Sequence, residues 1–320
     1  MNRTSRIFVA GANALIGAAL LERLRAAGYE NFVGVPPSEP DLTTAAQVEG
    51  FFAEARPEYV FVAAGKSGGI QANQTDPAGL MLHNLLVTAH VVAAALAHGV
   101  RKLLYLASSC CYPRQAVHPL RVESLMTGPL ESTSEAYATA KLAGLKLCQA
   151  YRRQHGVNFI TAIPADVFGP HDDFRPDHAH VLPALIRRLH AAKEAGDPQV
   201  AVWGTGRPRR EFVYAKDLAD ACLFVMAHYH EPEPINLGSG NDQSIADAAA
   251  AVADVVGYHG RLWFDTRKPD GMPFKGLDSR PLLALGWRPA TSFRTAVDET
   301  YDWFLRNVVK EDPTHVPAAV

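Results

Sequence analysis

Five short β-prone apolar runs, at 7–10, 32–35, 59–63, 103–106 and 159–163, alternate with alanine- and leucine-rich stretches of helical character over the first half of the chain. Strands that alternate with helices are joined by crossovers, which set neighbouring strands parallel and cover both faces of the sheet with helices. The pattern predicts an α/β fold, a Rossmann-type doubly wound parallel sheet. Its clearest unit is the first, where Ile7-Phe8-Val9-Ala10 runs into Gly11 and a helix-forming stretch from Ile16 stops before Gly28.

After Phe168 the alternation breaks down. Residues 169–177 read as a loop, and shorter elements with Pro, Gly and Trp follow. Residues 1–168 are therefore expected to form the dinucleotide-binding domain, with the helical stretch 214–226 returning to it. Residues 169–311 are expected to form mainly a smaller C-terminal α/β substrate-binding domain, and 312–320 a frayed tail. The 31 basic and 33 acidic residues carry a formal charge of -2 with no long run of one sign, which gives no footprint for nucleic acid or an anionic membrane. No stretch stands out as the roughly 20 apolar residues of a bilayer span, so no membrane segment is expected and a cytoplasmic location is. Cys110, Cys111, Cys148 and Cys222 are too irregular for a disulfide framework or a metal site and predict free thiols.

Three motifs carry chemistry. Gly11-Ala12-Asn13-Ala14-Leu15-Ile16-Gly17 places small residues where a pyrophosphate must approach backbone amides at a helix N-terminus, with Ala14 in the central glycine position. Tyr137 and Lys141 stand four apart, on one helix face, where a cation is expected to lower the phenol's pKa. Ser108-Ser109-Cys110-Cys111-Tyr112-Pro113 follows the fourth strand, at the carboxyl edge of the sheet where open α/β folds bind ligands.

Together with Ala64-Gly65-Lys66-Ser67-Gly68-Gly69-Ile70, Gly169-Pro170-His171-Asp172, His180-Val181-Leu182-Pro183-Ala184-Leu185, Val202-Trp203-Gly204-Thr205-Gly206, Arg210-Glu211-Phe212 and Lys268-Pro269-Asp270-Gly271, these motifs resemble the GDP-L-fucose synthase family of extended short-chain dehydrogenases/reductases. The resemblance runs in order along nearly the whole chain. It implies epimerisation at carbons 3 and 5 and NADP(H)-dependent reduction at carbon 4 of a GDP-linked 4-keto-6-deoxy sugar, GDP-4-keto-6-deoxy-mannose to GDP-L-fucose, in a homodimer built from helices at 81–98 and 135–153. Catalytic roles fall on Ser108 (carbonyl), Cys110 and His180 (ring protons), Tyr137 (proton donor) and Lys141 (ribose). The cofactor is implied to touch Gly11, Asn13, Ala14, Leu15, Ile16, Gly17, Leu106, Ala107, Ser109, Lys141, Pro164, Ala165, Asp166, Val167 and His180. The nucleotide sugar is implied to touch Arg188, Trp203, Arg210, Asp270 and Lys275.

The chain departs from the family's pattern at two places. Arginines expected to meet the 2′-phosphate of NADP(H) are replaced by Asn13 and by Val35-Pro36-Pro37-Ser38, no Lys or Arg lies between Arg25 and Arg56, and Glu39 and Asp41 come late for a ribose ligand. NAD(H) is thus a possible cofactor. Ala165-Asp166 stands for the family's Thr-Asn, an acid for an amide, which leaves a GDP-4-keto-6-deoxy-heptose or a simple 4-keto reduction as alternatives. Ser109-Cys110-Cys111 lacks the acid a 4,6-dehydratase needs, and a 4-epimerase has no use for Cys110 with His180. A non-catalytic dinucleotide-sensing protein is the reading from another class.

Overall fold

Strands covered on both faces can be apolar along their whole length, and the first five apolar runs form such strands. The computed structural model describes residues 1–310, so the tail expected at 312–320 lies outside the described residues. In chain order the first part comprises β1 (Ile7–Ala10), α1 (Leu15–Ala26), β2 (Phe32–Val33), α2 (Ala45–Ala55), β3 (Tyr59–Val62), α3 (Ile70–Thr75), α4 (Pro77–Ala97), β4 (Lys102–Leu106), α5 (Glu135–His155) and β5 (Phe159–Pro164). Then come β6 (Asp166–Phe168), α6 (Val181–Ala195), β7 (Gln199–Trp203), β8 (Arg209–Tyr214), α7 (Ala215–His228), β9 (Ile235–Leu237), β10 (Asp242–Ser244), α8 (Ile245–Val256), β11 (Arg261–Asp265), β12 (Phe274–Lys275), α9 (Arg280–Ala284) and α10 (Phe293–Phe304).

The central sheet has the order β2-β1-β3-β4-β5-β9 and is parallel throughout. It is the expected doubly wound α/β layer, extended after residue 168 by β9 beside β5, with α7 packed on α1. The strand expected at 32–35 is only Phe32–Val33. Gly34 turns the chain with φ of +67° against the rings of Phe51 and Phe8, and Ser38 N closes the next turn onto Val35 O at 2.9 Å. Such a turn takes the backbone out of the ladder.

A second apolar core, including Phe168, Leu185, Leu189, Phe212, Val252, Val297 and Phe304, gathers α6, α8 and α10 around shorter strands. There β8 pairs with β10, β12 and β6, while β7 pairs with β11. Because β6 follows β5 after a single residue, the end of the central sheet feeds directly into this smaller sheet.

One expectation from the sequence is corrected here. Helix α4, with a mean hydropathy of 1.8 over its most apolar window, is long and apolar enough to cross a membrane by length and composition. His83, Asn84, Thr88 and His90 interrupt its apolar residues, so no unbroken run marks it in the sequence. In this fold α4 lies along α5 and α2, burying Leu80, Val87, Val91, Val92 and Ala95.

The close contact of α4 and α5 depends on Gly144, where a Cβ would stand 2.4 Å from the Tyr105 hydroxyl and 2.8 Å from Thr88 Cγ2. Gly144→Ala is expected to lower the unfolding free energy by about 1–3 kcal/mol through overpacking. Gly50→Ala, a helical glycine with open space beside it, is the control expected to cost nothing in the same urea titration.

Candidate active site

The carboxyl edge of the sheet is built from turns that backbone sterics force on the chain. Gly11 has φ of +84°, and a Cβ there would stand 2.7 Å from Ala64 Cα. A Cβ on Gly17 would stand 2.0 Å from Gly11 O, so both glycines let α1 start close against β1 and β3. Ala14 is the N-cap of the 12-residue α1, with no side chain capping it. This cradle fits a dinucleotide pyrophosphate: a helix N-terminus without a side-chain cap, approached through small residues, with Asn13 and Ala14 exposed and Leu15 and Ile16 half-buried.

An acidic group reaches the same turn. Glu39 Oε1 accepts a hydrogen bond from Gly11 N at 2.5 Å, although Glu39 follows β2 by six residues and reads in the sequence as too late. Burial raises its pKa, partly offset by the Gly11 N–H. The turn at 35–38 shortens the path that the sequence leaves unread.

On the other side of the edge, β4 ends at Leu106, and Ala107 N donates to Ala162 O at 2.8 Å. A single 3-10 turn follows, in which Ser108 Oγ accepts from Cys110 N at 3.2 Å. Ser108 is thereby held beside the Tyr137 phenol, to which it is hydrogen-bonded. Tyr137 and Lys141 come from the first two turns of α5. The buried Lys141 Nζ donates to Leu106 O at 3.0 Å.

The expected lowering of the Tyr137 pKa by Lys141 is not what the structure gives. Burial dominates and raises it, reinforced by Cys110 and opposed by the Ser108 hydrogen bond. Burial also brings Lys141 down to about 8. Removing water around a phenol disfavours its charged form.

His180 is the N-cap residue of α6, its Nε2 3.5 Å from Ser67 Oγ. It is placed by a close backbone crossing: Gly69 N donates to His178 O at 2.8 Å, and a Cβ on Gly69 would stand 2.5 Å from Ala179 O. The Gly68-Gly69 pair signals such a crossing in the sequence, without revealing its partner. Burial lowers the His180 pKa, partly offset by Asp166.

Pro164, Ala165, Asp166 and Val167 form the junction of β5 and β6. Asp166 is the centre of an ion cluster, with Oδ1 2.5 Å from Lys275 Nζ and Oδ2 3.8 Å from Arg210 Nε. Ser109 Oγ donates to Oδ1 at 3.4 Å. Burial opposes the Asp166 charge, but Lys275 and Arg210 outweigh it and keep the carboxyl below its usual range. Lys275 Nζ also lies 3.9 Å from Cys110 Sγ. Ser108, Cys110, Tyr137, Asp166, His180, Arg210 and Lys275 are thus linked as neighbours in one cluster.

Farther out, the half-exposed Trp203 ring lies under two cations, Arg188 at 5.6 Å and Lys268 at 4.9 Å. Asp270 anchors the neighbouring turn, its carboxylate accepting from Thr205 N at 2.7 Å and Thr205 Oγ1 at 2.9 Å. Its backbone oxygen accepts from Arg210 Nη2 at 3.4 Å. Among the described residues, no group of three or more His, Cys, Asp or Glu could hold a metal ion, and all four cysteines are free.

The family model described as the NAD dependent epimerase/dehydratase family matches residues 7–238. GDP-L-fucose synthase 1 of Arabidopsis thaliana is 48% identical over 307 residues, covering 96% of this chain and 95% of its own. GDP-L-fucose synthase of Escherichia coli K12 is 42% identical over 311 residues, covering 94% and 97%. A solved GDP-mannoheptose C4 reductase from Campylobacter jejuni with NADP bound has a TM-score of 0.86 at 33% identity, covering 95% and 99%.

The cofactor role that the resemblance implies for Lys141 predicts a pH dependence for dinucleotide binding. Its folded-state pKa near 8 means that the ammonium is charged below that pH and neutral above it. Affinity for NADP⁺, followed by protein fluorescence, is expected to weaken as pH rises through 8, by at most about tenfold per pH unit. Lys141→Met is expected to bind weakly and to lose this dependence.

Proposed function

The chain belongs to the NAD dependent epimerase/dehydratase family, among its GDP-L-fucose synthases, and is an NAD(P)-dependent enzyme; from that premise we propose that it epimerises carbons 3 and 5 and reduces carbon 4 of GDP-4-keto-6-deoxy-mannose, giving GDP-L-fucose. The observation that carries the reading is the cluster around Asp166 and Lys275 that gathers a phenol, a thiol and an imidazole: Tyr137 on α5, Cys110 after β4, and His180 before α6.

A 4-keto group acidifies the hydrogens on the carbons at either side of it. Inverting such a carbon requires one group to take a proton and another to return one on the opposite ring face. Cys110 and His180 are assigned this exchange. Burial favours neutral His180, the form that accepts a proton. Ser108 and Tyr137 hold the carbon 4 oxygen. Tyr137 gives it a proton, a task for which burial keeps the phenol in the required protonated form. When bound, a reduced nicotinamide would supply the hydride for carbon 4. Lys141 binds the adjoining ribose. Arg188, Arg210 and Lys275 are assigned the GDP diphosphate and Trp203 the base, because guanidinium forks and a half-exposed indole suit those groups.

The cofactor reading follows from the glycine turn. With Asn13 and Val35 where the resemblance has arginines, and Glu39 on Gly11 N, neither the glycine turn nor the stretch from 26 to 55 carries a Lys or Arg for a 2′-phosphate, and use of NADH beside NADPH is proposed. A homodimer through α4 and α5 is supported by the largely apolar α4, on which Leu82 remains 59% exposed. A cytoplasmic setting agrees with four free thiols. A GDP-4-keto-heptose is the second substrate reading, favoured by the likeness to the Campylobacter reductase.

The deciding experiment incubates the protein with GDP-4-keto-6-deoxy-mannose and NADPH or NADH and identifies the product by NMR. GDP-L-fucose is the expected product, and an unconsumed substrate refutes the proposal. Tyr137→Phe is expected to lower hydride transfer by about 10²-fold or more while still binding cofactor. In deuterated water without reduced cofactor, Cys110→Ser and His180→Asn are expected to take up far less deuterium at carbons 3 and 5. Full uptake in both variants would leave only a 4-keto reductase. Introducing Asn13→Arg with Val35→Arg is expected to raise the NADPH to NADH ratio of kcat/KM by about tenfold, the effect of one charge-assisted contact.

A further inference from the structure

We propose that Asp166 is a positioning residue for Cys110, setting through Lys275 how readily the thiol gives up its proton, and with it the pH range over which ring protons exchange. The role of Cys110 in ring-proton exchange rests on the function proposed above; the coupling itself rests on geometry. One ammonium, Lys275 Nζ, lies 2.5 Å from Asp166 Oδ1 and 3.9 Å from Cys110 Sγ. The Lys275 and Arg210 side chains are 12% and 11% exposed, and that of Asp166 26%, so little water lies between them to screen their charges. The members come from separate segments: Asp166 from β6, Arg210 from β8, Lys275 from β12, and Cys110 from the turn after β4.

Charged and titratable groups gather around this thiol from several elements: from β12 Lys275, from β6 Asp166, from β8 Arg210, paired to Asp166, and from the start of α6 His180, which feels both Asp166 and Lys275. From α5 comes the Tyr137 phenol, protonated through burial. In its own turn Ser108 Oγ accepts from Cys110 N, and the buried Cys111 thiol points instead to Ala138 O, with Lys141 acting on that side. Two cations therefore stand against one carboxylate, and the carboxylate decides how much positive charge reaches the sulfur. A positive neighbour favours thiolate, and a compensated one favours the thiol. A group that must both donate and accept protons near neutrality needs the compensated arrangement.

Asp166→Asn keeps an oxygen to receive the Lys275 ammonium but removes the compensating charge. The pH midpoint of Cys110 alkylation by iodoacetamide, read by mass spectrometry of the Cys110 peptide with saturating NADP⁺ present, is expected to move down by about one unit. Lys275→Met, which leaves Arg210 and Asp166 to neutralise each other, is expected to move it up. In the Lys275→Met background, Asp166→Asn is expected to shift it by less than half as much, because the route through the ammonium is gone. Deuterium uptake at carbons 3 and 5 of GDP-4-keto-6-deoxy-mannose should follow, with the acid limb of its pH profile displaced downward in Asp166→Asn. Unchanged alkylation midpoints in both single variants would overturn the proposal whatever the substrate. Shifted midpoints with an unmoved exchange profile would overturn its link to ring-proton exchange. A wild-type protein that exchanges no ring proton overturns the function assigned to Cys110 instead, while the alkylation series still decides the coupling.

Discussion

The hydrogen-bond ladder of the six-stranded parallel sheet is the constraint from which the rest of the molecule follows. Its backbone groups are consumed between neighbours, and helices cover both faces, so β1, β3, β4 and β5 can carry little inside their length except packing. Polar groups are left to the turns at the strand ends. Because β4 and β5 are adjacent, with Leu106 opposite Ala162, the turn after Leu106 and the junction after Pro164 leave the same edge of the sheet, β5 running two residues farther. The sheet places the site before any side chain is chosen.

The same constraint explains what was legible in the sequence. Buried parallel strands read as unbroken apolar runs, so β1, β3, β4 and β5 were found to within about a residue, and the motifs at their ends with them. The smaller sheet was not legible strand by strand. Its members span two to six residues, and β8 begins with Arg209-Arg210-Glu211, whose side chains answer to partners elsewhere in the chain. Asp166 and Lys275 are 109 positions apart, and nothing local in either segment announces a 2.5 Å ion pair. Glu39 was visible as an acid, but its reach to Gly11 depends on how the chain turns at 34–38, which the pattern of apolar residues does not encode. The expected effect of Lys141 on Tyr137 failed for a related reason: spacing shows that two groups are neighbours, while burial decides which of their charged forms survives.

The distribution of charge in the two halves of the cleft completes the physical picture. A dinucleotide and a nucleotide sugar each carry a diphosphate, and the site has to hold them in different places. At the glycine turn, the α1 N-terminus and closely approaching backbone supply the positive end, with a carboxylate, Glu39, beside them. Elsewhere Arg188 and Lys268 gather against Trp203 and Arg210 and Lys275 against Asp166, while the carboxylate of Asp270 is occupied by Thr205. Side-chain cations bind a diphosphate as charge, and backbone amides bind it as shape. Glu39 thus adds negative charge at the glycine turn, whereas the cations at the other end exceed the one carboxylate, Asp166, that pairs with them. On the function proposed above, the two diphosphates would be sorted by the kind of positive charge each half presents.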